Sequence, residues 1–215
     1  MEYEDVIVIE NNLAKYYLTI LRNKDTPPKL FRKYLRKLGF ILGYEASRYL
    51  KWRSVFVETP LARASGVKPG KPVIIVGILG ASIPLVEGIL EAIPWAGVGL
   101  VAARRIESVE DVEIEVYYER LPETLEPYTV LIADPMLATG KTMVATIELL
   151  KKRGASDLVI LSVIASRYGI NYVRSKAGKI PIIVVAIDPY LNDKFFIVPG
   201  LGDAGDRGLG HDKPD

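Results

Sequence analysis

The sequence predicts an α/β fold in which a mainly parallel sheet lies between layers of helices. The first observation is a series of near-continuous β-branched runs between residues 72 and 187, a composition typical of parallel strands buried on both faces. The second is that helical patterns separate several of these runs, which gives the βαβ alternation of α/β proteins. The third is size, because 215 residues that are 49% apolar suffice for one compact domain.

Two helices are predicted before the β-branched runs. Leu13, Tyr17, Ile20 and Leu21 recur at helical spacing in the first. The second follows Asp-Thr-Pro-Pro, where Asp25 or Thr26 can cap it and proline suits the first turn. Its predicted buried stripe consists of Leu30, Tyr34, Leu38, Ile41 and Leu42. Its predicted exposed face is basic and consists of Lys29, Arg32, Lys33, Arg36 and Lys37.

The remaining elements follow in order. The predicted strands are PVIIVG, GVGLVAA, TVLIAD, DLVILSVI and PIIVVAI, and the predicted helices are SIPLVEGILEAI, KTMVATIELLKKRG and RYGINYVRSKAG. Alternation in IEVYYERLP predicts a hairpin arm near residues 106–122 that stands off the sheet. The glycine-rich tail predicts a shaped loop without regular structure. We therefore expect a helical region over 1–53, a core over 54–198 and a loop with a tail over 199–215, all in one domain.

Composition excludes several classes of protein. There is no cysteine and the only histidine is His211, so thiol catalysis, a serine–histidine triad and cysteine or multi-histidine metal sites are not expected. The net charge of +2 gives no support for nucleic-acid binding. The start MEYEDVIVIE lacks a basic leader, and no apolar run reaches about 18 residues. We expect a cytoplasmic protein.

The stretch DPMLATGKT, residues 134–142, predicts an anion site. It joins a buried strand to a helix, so it lies at the carboxyl end of the sheet, where ligands of open α/β folds bind. Amides at a helix N-terminus attract phosphate, Gly140 permits close approach, and Thr139 and Thr142 add hydroxyls. A nucleoside-triphosphate loop is excluded because Pro135 stands where that motif needs glycine. The turn also lacks the G-x-G-x-x-G of dinucleotide folds.

Asp134 needs a reason to stand beside a phosphate, since the two charges repel each other. The carboxylate can accept hydrogen bonds from sugar hydroxyls, or it can help to hold a metal ion. A phosphorylated sugar satisfies both halves of the stretch, with its phosphate on the amides and its hydroxyls on the acid.

Two segments resemble a known family. LIADPMLATGKT is similar to the phosphoribosyl-pyrophosphate (PRPP) motif of type I phosphoribosyltransferases, and in particular to that of the uracil phosphoribosyltransferase family. PGLGDAGDRGLG, residues 199–210, resembles the uracil-binding segment of the same family. Sister families carry two adjacent acids in the first motif, whereas here Asp134 precedes Pro135. Weaker likeness extends over most of the chain.

The resemblance implies a type I phosphoribosyltransferase fold and a reaction. The 5-phosphoribosyl group would pass from PRPP to uracil, giving UMP and diphosphate with Mg²⁺, in a homo-dimer or homo-tetramer. The transition state would have oxocarbenium character, so catalysis would rest on positioning and on stabilising the departing diphosphate. A backbone-lined pocket for uracil would reject cytosine, whose amino group replaces an acceptor.

The resemblance also implies roles for individual residues. The catalytic residues would be Asp134 and Arg105. PRPP would be bound by Gly80, Arg105, Asp134, Pro135, Met136, Leu137, Ala138, Thr139, Gly140, Lys141, Thr142 and Asp203. Uracil would be bound by Ile197, Gly202, Asp203 and Ala204, in a segment that Phe195, Phe196, Ile197 and Val198 anchor. No direct side-chain ligand of the metal is assigned.

One position departs from the family. Relatives carry an arginine where this chain has Gly80, so diphosphate would meet an amide there instead of a charge, and Arg104 can compensate. The arm around residues 112–119 can close over the site as a lid, or its Tyr117 and Tyr118 can belong to an interface or the core.

The basic helix face has two interpretations, a solvated surface or a triphosphate site. Members of the family are often activated by GTP, and triphosphates need clustered cations. The predicted effector residues are Lys29, Leu30, Phe31, Arg32, Lys33 and Tyr34. Two alternatives to the main function also remain at this point: transfer to another base, or an RNA-binding nucleotide sensor on the same fold.

Overall fold

In a computed structural model that describes residues 4–107 and 112–211, helices pack on both faces of an eight-stranded sheet. The elements are β1 (Val6–Val8), α1 (Asn12–Arg22), α2 (Pro28–Ala46), β2 (Trp52–Glu58), β3 (Arg63–Pro69), β4 (Val73–Leu79), α3 (Ile83–Ala92), β5 (Gly97–Glu107), β6 (Val112–Arg120), β7 (Thr129–Ala133), β8 (Met136–Leu137), α4 (Lys141–Lys152), β9 (Asp157–Ser166), α5 (Arg167–Ala177), β10 (Ile182–Asp188), β11 (Tyr190–Leu191), β12 (Ile197–Val198) and α6 (Ala204–Leu209).

The sheet has the order β1-β10-β9-β7-β4-β5-β6, with the short β8 paired to the far end of β9. All its pairings are parallel except β5 with β6, which is antiparallel. The predicted α/β class and the five predicted core strands are therefore confirmed. Because β4, β7 and β9 lie side by side, the turns that follow them converge at one edge.

Alternating side chains of the strands feed two cores. On one face, residues such as Ile75 and Leu131 pack with α1, α2 and α3. On the other, Ile74 and Val130 pack with α4 and α5. Both faces are apolar because both are covered, which is why the strands read as continuous β-branched runs.

Helices α2 and α3 approach closely through glycines. A Cβ at Gly88 would lie 1.9 Å from the carbonyl oxygen of Arg36, and one at Gly39 would lie 2.3 Å from that of Leu85. Any larger residue at these positions would push the helices apart. This contact sets the basic face of α2 beside the start of α3, next to the turn after β4.

Two details of the N-terminal helices correct the predictions. Pro27 occupies the N-cap position of α2 with no side-chain cap, because the hydroxyl of Thr26 turns back to the carbonyl of Ile20 at 2.6 Å. The buried stripe runs through Phe31, Leu35, Leu38 and Leu42, whereas Leu30 is exposed. The predicted stripe was thus wrong at its first turn. Leu13 of α1 is also exposed.

The hairpin arm is the outer part of β5 and β6. Strand β5 pairs with β4 only as far as Ala102, so Ala103–Glu107 and their β6 partners extend past the sheet. The arm therefore continues an edge strand, and residues 108–111 at its tip lie outside the described residues. Tyr117 and Tyr118 are exposed, which excludes the core among their alternatives, while the lid and the interface stay predictions.

Several elements were not predicted. Strand β1 adds a parallel edge to the sheet beside β10. Strands β2 and β3 form a separate antiparallel hairpin, of which most residues are exposed. The glycine-rich tail contains the short helix α6, where a loop without regular structure was expected. Within the described ranges, the helices are too short or too polar to cross a membrane.

Candidate active site

A cavity of about 370 Å³ opens at the carboxyl ends of β4, β5 and β7, and we call it the strand-end cavity. It is bounded by three turns that are far apart in sequence. Its lining residues are Ile78, Leu79, Gly80, Ala81, Ala103, Asp134, Met136, Ala138, Thr142, Lys194, Phe195, Phe196, Asp203, Ala204 and Gly205. Of the predicted donor residues, Gly80, Asp134, Met136, Ala138, Thr142 and Asp203 line the cavity, and of the predicted base residues, Asp203 and Ala204 do.

The phosphate loop, residues 134–142, is fixed to strand β9. The Asp134 amide donates to the carbonyl of Leu161 at 3.1 Å, and the Pro135 carbonyl accepts from the amide of Val163 at 3.0 Å. Ser162 donates its hydroxyl to the Asp134 carbonyl. These bonds satisfy the backbone at the entry of the loop and hold it in one position.

Ser166 fixes the other end of the loop. Its hydroxyl donates to the carbonyl of Ala138 at 2.6 Å and accepts from the amide of Gly169 at 2.8 Å. The same side chain therefore caps α5 and ties the phosphate loop to it. Ser166 is fully buried, and it was not among the predicted residues, although a serine at a strand-to-helix junction is a recognisable cap signal.

Two glycines permit this close packing. Gly140 adopts φ +79° at the N-cap of α4, and a Cβ there would also lie 2.8 Å from the carbonyl oxygen of Gly169. A Cβ at Gly169 would lie 2.4 Å from the carbonyl oxygen of Ala138. Gly140 is needed both for its backbone conformation and for this contact, whereas Gly169 of α5 is needed for the contact with the loop alone.

Asp134 is the first residue of the phosphate loop, directly after β7, and it lines the strand-end cavity. Burial raises the pKa of its carboxyl group from 3.8 to about 7, and the hydrogen bond from the Met136 amide at 3.4 Å opposes this rise only weakly. The group therefore titrates near neutral pH, and any ligand that donates hydrogen bonds or positive charge to it favours the carboxylate.

The turn after β4 supplies the opposite wall. Gly80 and Ala81 line the cavity, and the Leu79–Gly80 peptide is cis. The backbone of Arg105 lies in β5, opposite Ile114, while its side chain lies outside the described part of the chain. Arg104 is exposed on the arm, where it pairs with Glu115 at 2.6 Å and stands over the ring of Tyr117, so the cavity lining does not include it.

The third wall is the C-terminal segment, residues 194–209. Asp203 and Ala204 line the cavity, and the Asp203 carboxylate caps α6 by accepting from the amide of Asp206 at 2.9 Å. Ile197 is buried in the core and Gly202, with φ +77°, is exposed, and neither residue lines the cavity. Phe195 and Phe196 are exposed at the cavity mouth. Their predicted role as anchors of the segment was therefore wrong.

A second space of about 560 Å³, the basic cavity, lies behind the turn after β4. Five cations of α2 line it, namely Lys29, Arg32, Lys33, Arg36 and Lys37, together with residues of α3 and α6. Gly80, Ala81 and Gly205 border both cavities. Phe31, a predicted effector residue, is fully buried under Arg207 and presents no side chain here.

Comparison with known proteins decides the family. The model of the family described as uracil phosphoribosyltransferase matches residues 8–210. The chain belongs to the uracil phosphoribosyltransferase family. It is 50% identical over 206 residues to the uracil phosphoribosyltransferase of Aeropyrum pernix, covering 95% of this chain and 96% of that protein.

Solved structures agree on the fold. The AQ2163 protein of Aquifex aeolicus superimposes with a TM-score of 0.87 at 34% identity, covering 94% of this chain and 97% of that one. A hypoxanthine phosphoribosyltransferase from Staphylococcus aureus superimposes with a TM-score of 0.51 at 17% identity, over 74% of this chain and 76% of that one. The predicted family and its type I phosphoribosyltransferase architecture are confirmed.

Sequence reasoning did not find every residue at the site. Lys194 lines the strand-end cavity from a turn that carried no motif. Arg22, Asp188 and Arg207, which hold the C-terminal segment, come from three separate elements. Their contacts are non-local, so no local pattern could have indicated them.

Proposed function

We propose that the chain transfers the 5-phosphoribosyl group of PRPP to uracil, forming UMP and diphosphate. The bond from C1 of the ribose to the diphosphate oxygen breaks and its electron pair leaves with diphosphate. N1 of uracil bonds to that carbon, and the N1 proton passes to solvent. Family membership supports the reaction. The observation that carries its placement is that one cavity is bounded by both the phosphate loop and the C-terminal segment.

The phosphate loop would hold the 5-phosphate of the donor. Its amides lie at the start of α4, where the helix dipole and N–H groups without an intrahelical acceptor favour an anion. Asp134, at the first position of the loop, lines the same cavity, where the ribose of the donor would lie. Ribose hydroxyls would donate to its carboxylate and shift it to the ionised form, so donor binding releases a proton near pH 7.

The diphosphate would lie against the turn after β4. Gly80 and Ala81 present backbone there, and Arg105 on β5 is proposed to add positive charge. Among the described residues, no three acidic, histidine or cysteine side chains cluster as a metal cage. Asp134 and Asp203 nevertheless fit Mg²⁺, which binds one or two carboxylates together with substrate phosphates and waters. When bound, the ion neutralises charge on the leaving diphosphate.

Uracil would lie against Asp203 and Ala204, next to Gly202 in the chain. The tight backbone of this segment can present N–H and C=O groups along the edge of the base. Cytosine would then leave a site donor without an acceptor, which discriminates strongly. Holding both substrates in one orientation is the main catalytic contribution expected of the protein.

A rate assay tests the function. Purified chain, Mg²⁺ and PRPP are mixed with uracil, cytosine, hypoxanthine or guanine, and UMP and diphosphate are measured. We expect turnover with uracil alone. Turnover with another base and none with uracil would contradict the proposal, and so would nucleotide formation without release of diphosphate.

GTP is proposed as an effector at the basic cavity. Five exposed cations of α2 line one side of a space large enough for a nucleotide, and the acids Glu87 and Glu91 also line it, with Glu91 paired to Arg36. The basic cavity shares Gly80, Ala81 and Gly205 with the strand-end cavity. A triphosphate there would lie next to the turn that faces diphosphate. Initial rates with and without GTP test this, using Lys33→Met with Lys37→Met as the variant and exposed Lys152→Met as its control. Identical rates and PRPP affinities with and without GTP would contradict it.

A homo-dimer or homo-tetramer is also proposed. The hairpin of β2 and β3 exposes Phe56, Val57 and Val67, and an isolated two-stranded hairpin is marginally stable in water. Packing against a second copy would cover these side chains. Light scattering at several concentrations tests the assembly, and a monomer at assay concentration would contradict it.

A further inference from the structure

Arg207 of α6 is a buried arginine, only 7% exposed. It does not line the strand-end cavity, and the proposed reaction gives it no role. Its guanidinium donates to the carbonyl of Leu201 at 2.6 Å, to the carbonyl of Asn23 at 2.6 Å and to that of Leu21. The charge also stands over the ring of Phe31, with 4.6 Å to its centroid. One side chain therefore joins α6, the segment before it, α1 and α2.

The partners of Arg207 suit a cation. Leu21 and Asn23 lie at the carboxyl end of α1, where carbonyl groups lack helical partners and the helix dipole is negative. Leu201 lies two residues before Asp203, the N-cap of α6. The arginine thus satisfies carbonyls on both sides of one junction, and removing it would leave buried acceptors unpaired.

A second arginine holds the same segment. Arg22 forms a two-pronged pair with Asp188 at 2.6 and 2.8 Å and donates to the carbonyl of Gly200 at 2.7 Å. The Gly200 amide donates to the same Asp188 carboxylate at 3.0 Å. The segment before α6 is therefore fixed to the end of α1 at Gly200 and again at Leu201. Nothing in residues 197–204 alone provides this restraint.

We propose that Arg207 is a positioning residue for base recognition. It fixes α6 against α1 and thereby sets the place of Asp203 and Ala204 in the cavity wall, without touching either substrate. The inference rests on the proposed placement of uracil at this wall. The phosphate loop is held separately, by Ser162 and Ser166, so loss of Arg207 should weaken uracil binding most and should affect the donor only through Asp203.

The test is a comparison of the two Michaelis constants in Arg207→Met, which keeps the bulk of the side chain and loses the charge and donors. We expect the KM for uracil to rise about 10- to 100-fold, as small misplacements at an active site do, while the KM for PRPP, which depends on this wall only through Asp203, rises at least about threefold less. Arg207→Lys should recover part of the uracil affinity. If the methionine variant does not fold, the lysine variant decides the question by the same ratio.

The matched control is Arg153→Met. Arg153 is also partly buried, pairs with Glu119 and donates to the carbonyl of Pro122 at 3.2 Å, away from the cavity. It should lower thermal stability with little change in either KM. A loss of kcat in the Arg207 variants with both KM values unchanged, or equal rises in both, would overturn the proposal in favour of a purely structural role.

A third variant, Ala204→Val, tests the placement of uracil separately from the role of Arg207. It enlarges a buried residue of the wall itself. If it raises the KM for uracil and Arg207→Met does not, the placement of uracil stands and the role of Arg207 is refuted. If neither variant changes that constant, the placement is wrong and the inference fails with it.

Discussion

The phosphate loop and the C-terminal segment form two walls of one cavity but are held in different ways. The loop continues a core strand, and hydrogen bonds to the neighbouring strand β9 fix it. The segment is glycine-rich, and arginines from α1 and α6 fix it through carbonyls. The first wall is a local consequence of a strand-to-helix turn, whereas the second depends on elements far apart in the chain.

The two walls should therefore be sensitive to different substitutions. A backbone cradle fails when its conformation or its close contacts change, so glycines matter most in the loop. A wall held by side chains fails gradually, as individual bonds are lost. The predictions below test this contrast, beginning with the largest effect.

Gly140→Ala should damage the loop most. It forces an alanine to φ +79° and places its Cβ 2.8 Å from the Gly169 carbonyl oxygen, so we expect a loss in kcat/KM of about 100-fold or more. Gly178→Ala is the control, because Gly178 has φ +86° with nothing within 4 Å. With ψ −169° its backbone lies in a region essentially restricted to glycine, so this substitution carries strain without the contact and should cost about 1–3 kcal/mol of stability. Equal activity losses in both variants would show that strain, not the contact, matters.

Asp134→Asn should come second, and its effect should depend on pH. The native affinity for PRPP should rise from pH 6 to pH 8 as Asp134 ionises, because its pKa is about 7 without ligand and lower with ribose bound. Asparagine cannot ionise, so the variant should bind PRPP weakly with a flat profile. Calorimetry in buffers of different ionisation enthalpy measures the proton release, which should vanish in the variant. A native profile that stays flat would refute the assigned role.

The same variant should be more stable than the native chain at high pH. Between about pH 4 and 7 the folded state retains a proton that the unfolded chain releases, so native stability falls as pH rises through this window. The Asp134→Asn substitution removes this loss, because the amide carries no titrating proton. We expect a gain of about 1–4 kcal/mol at pH 8 and little at pH 4. Thermal unfolding at both pH values measures it, with exposed Asp193→Asn as the control.

Ser166→Ala should produce an intermediate effect on the loop. The carbonyl of Ala138 and the amide of Gly169 would both lose a buried partner, which costs about 1–3 kcal/mol. The KM for PRPP should rise while the KM for uracil stays near its native value, opposite to the pattern expected for Arg207. Ser175→Ala removes an exposed hydroxyl from the same helix and should change neither. Reversal of the selectivity would contradict the division between the walls.

Lys194→Met should have the smallest effect. Its ammonium group is exposed at the cavity mouth, so salt screens it and its contribution to anion binding is about 1 kcal/mol or less. We expect a few-fold rise in the KM for PRPP at low salt that disappears at high salt. A large loss independent of salt would contradict this and mean that Lys194 itself contacts the donor.

The core strands and the phosphate loop could be predicted from the amino-acid sequence alone. Continuous apolar runs located β4, β5, β7, β9 and β10, because strands buried on both faces must be continuously apolar. The phosphate loop was predictable because strand end, glycine and helix start lie within one stretch. The C-terminal motif and the family likeness were also visible, and membership has been confirmed.

The edge strand β1, the hairpin of β2 and β3 and the contacts of Arg207 became visible only in the folded structure. The three-residue β1 is stable only as an edge beside β10, and the hairpin of β2 and β3 lacks a buried face that periodicity could indicate. Buried Arg207 resembles any helix-end arginine in the sequence, and its role arises from carbonyls about 180 residues away. Such contacts depend on how separate elements pack together, and packing is not encoded in any single window of the chain.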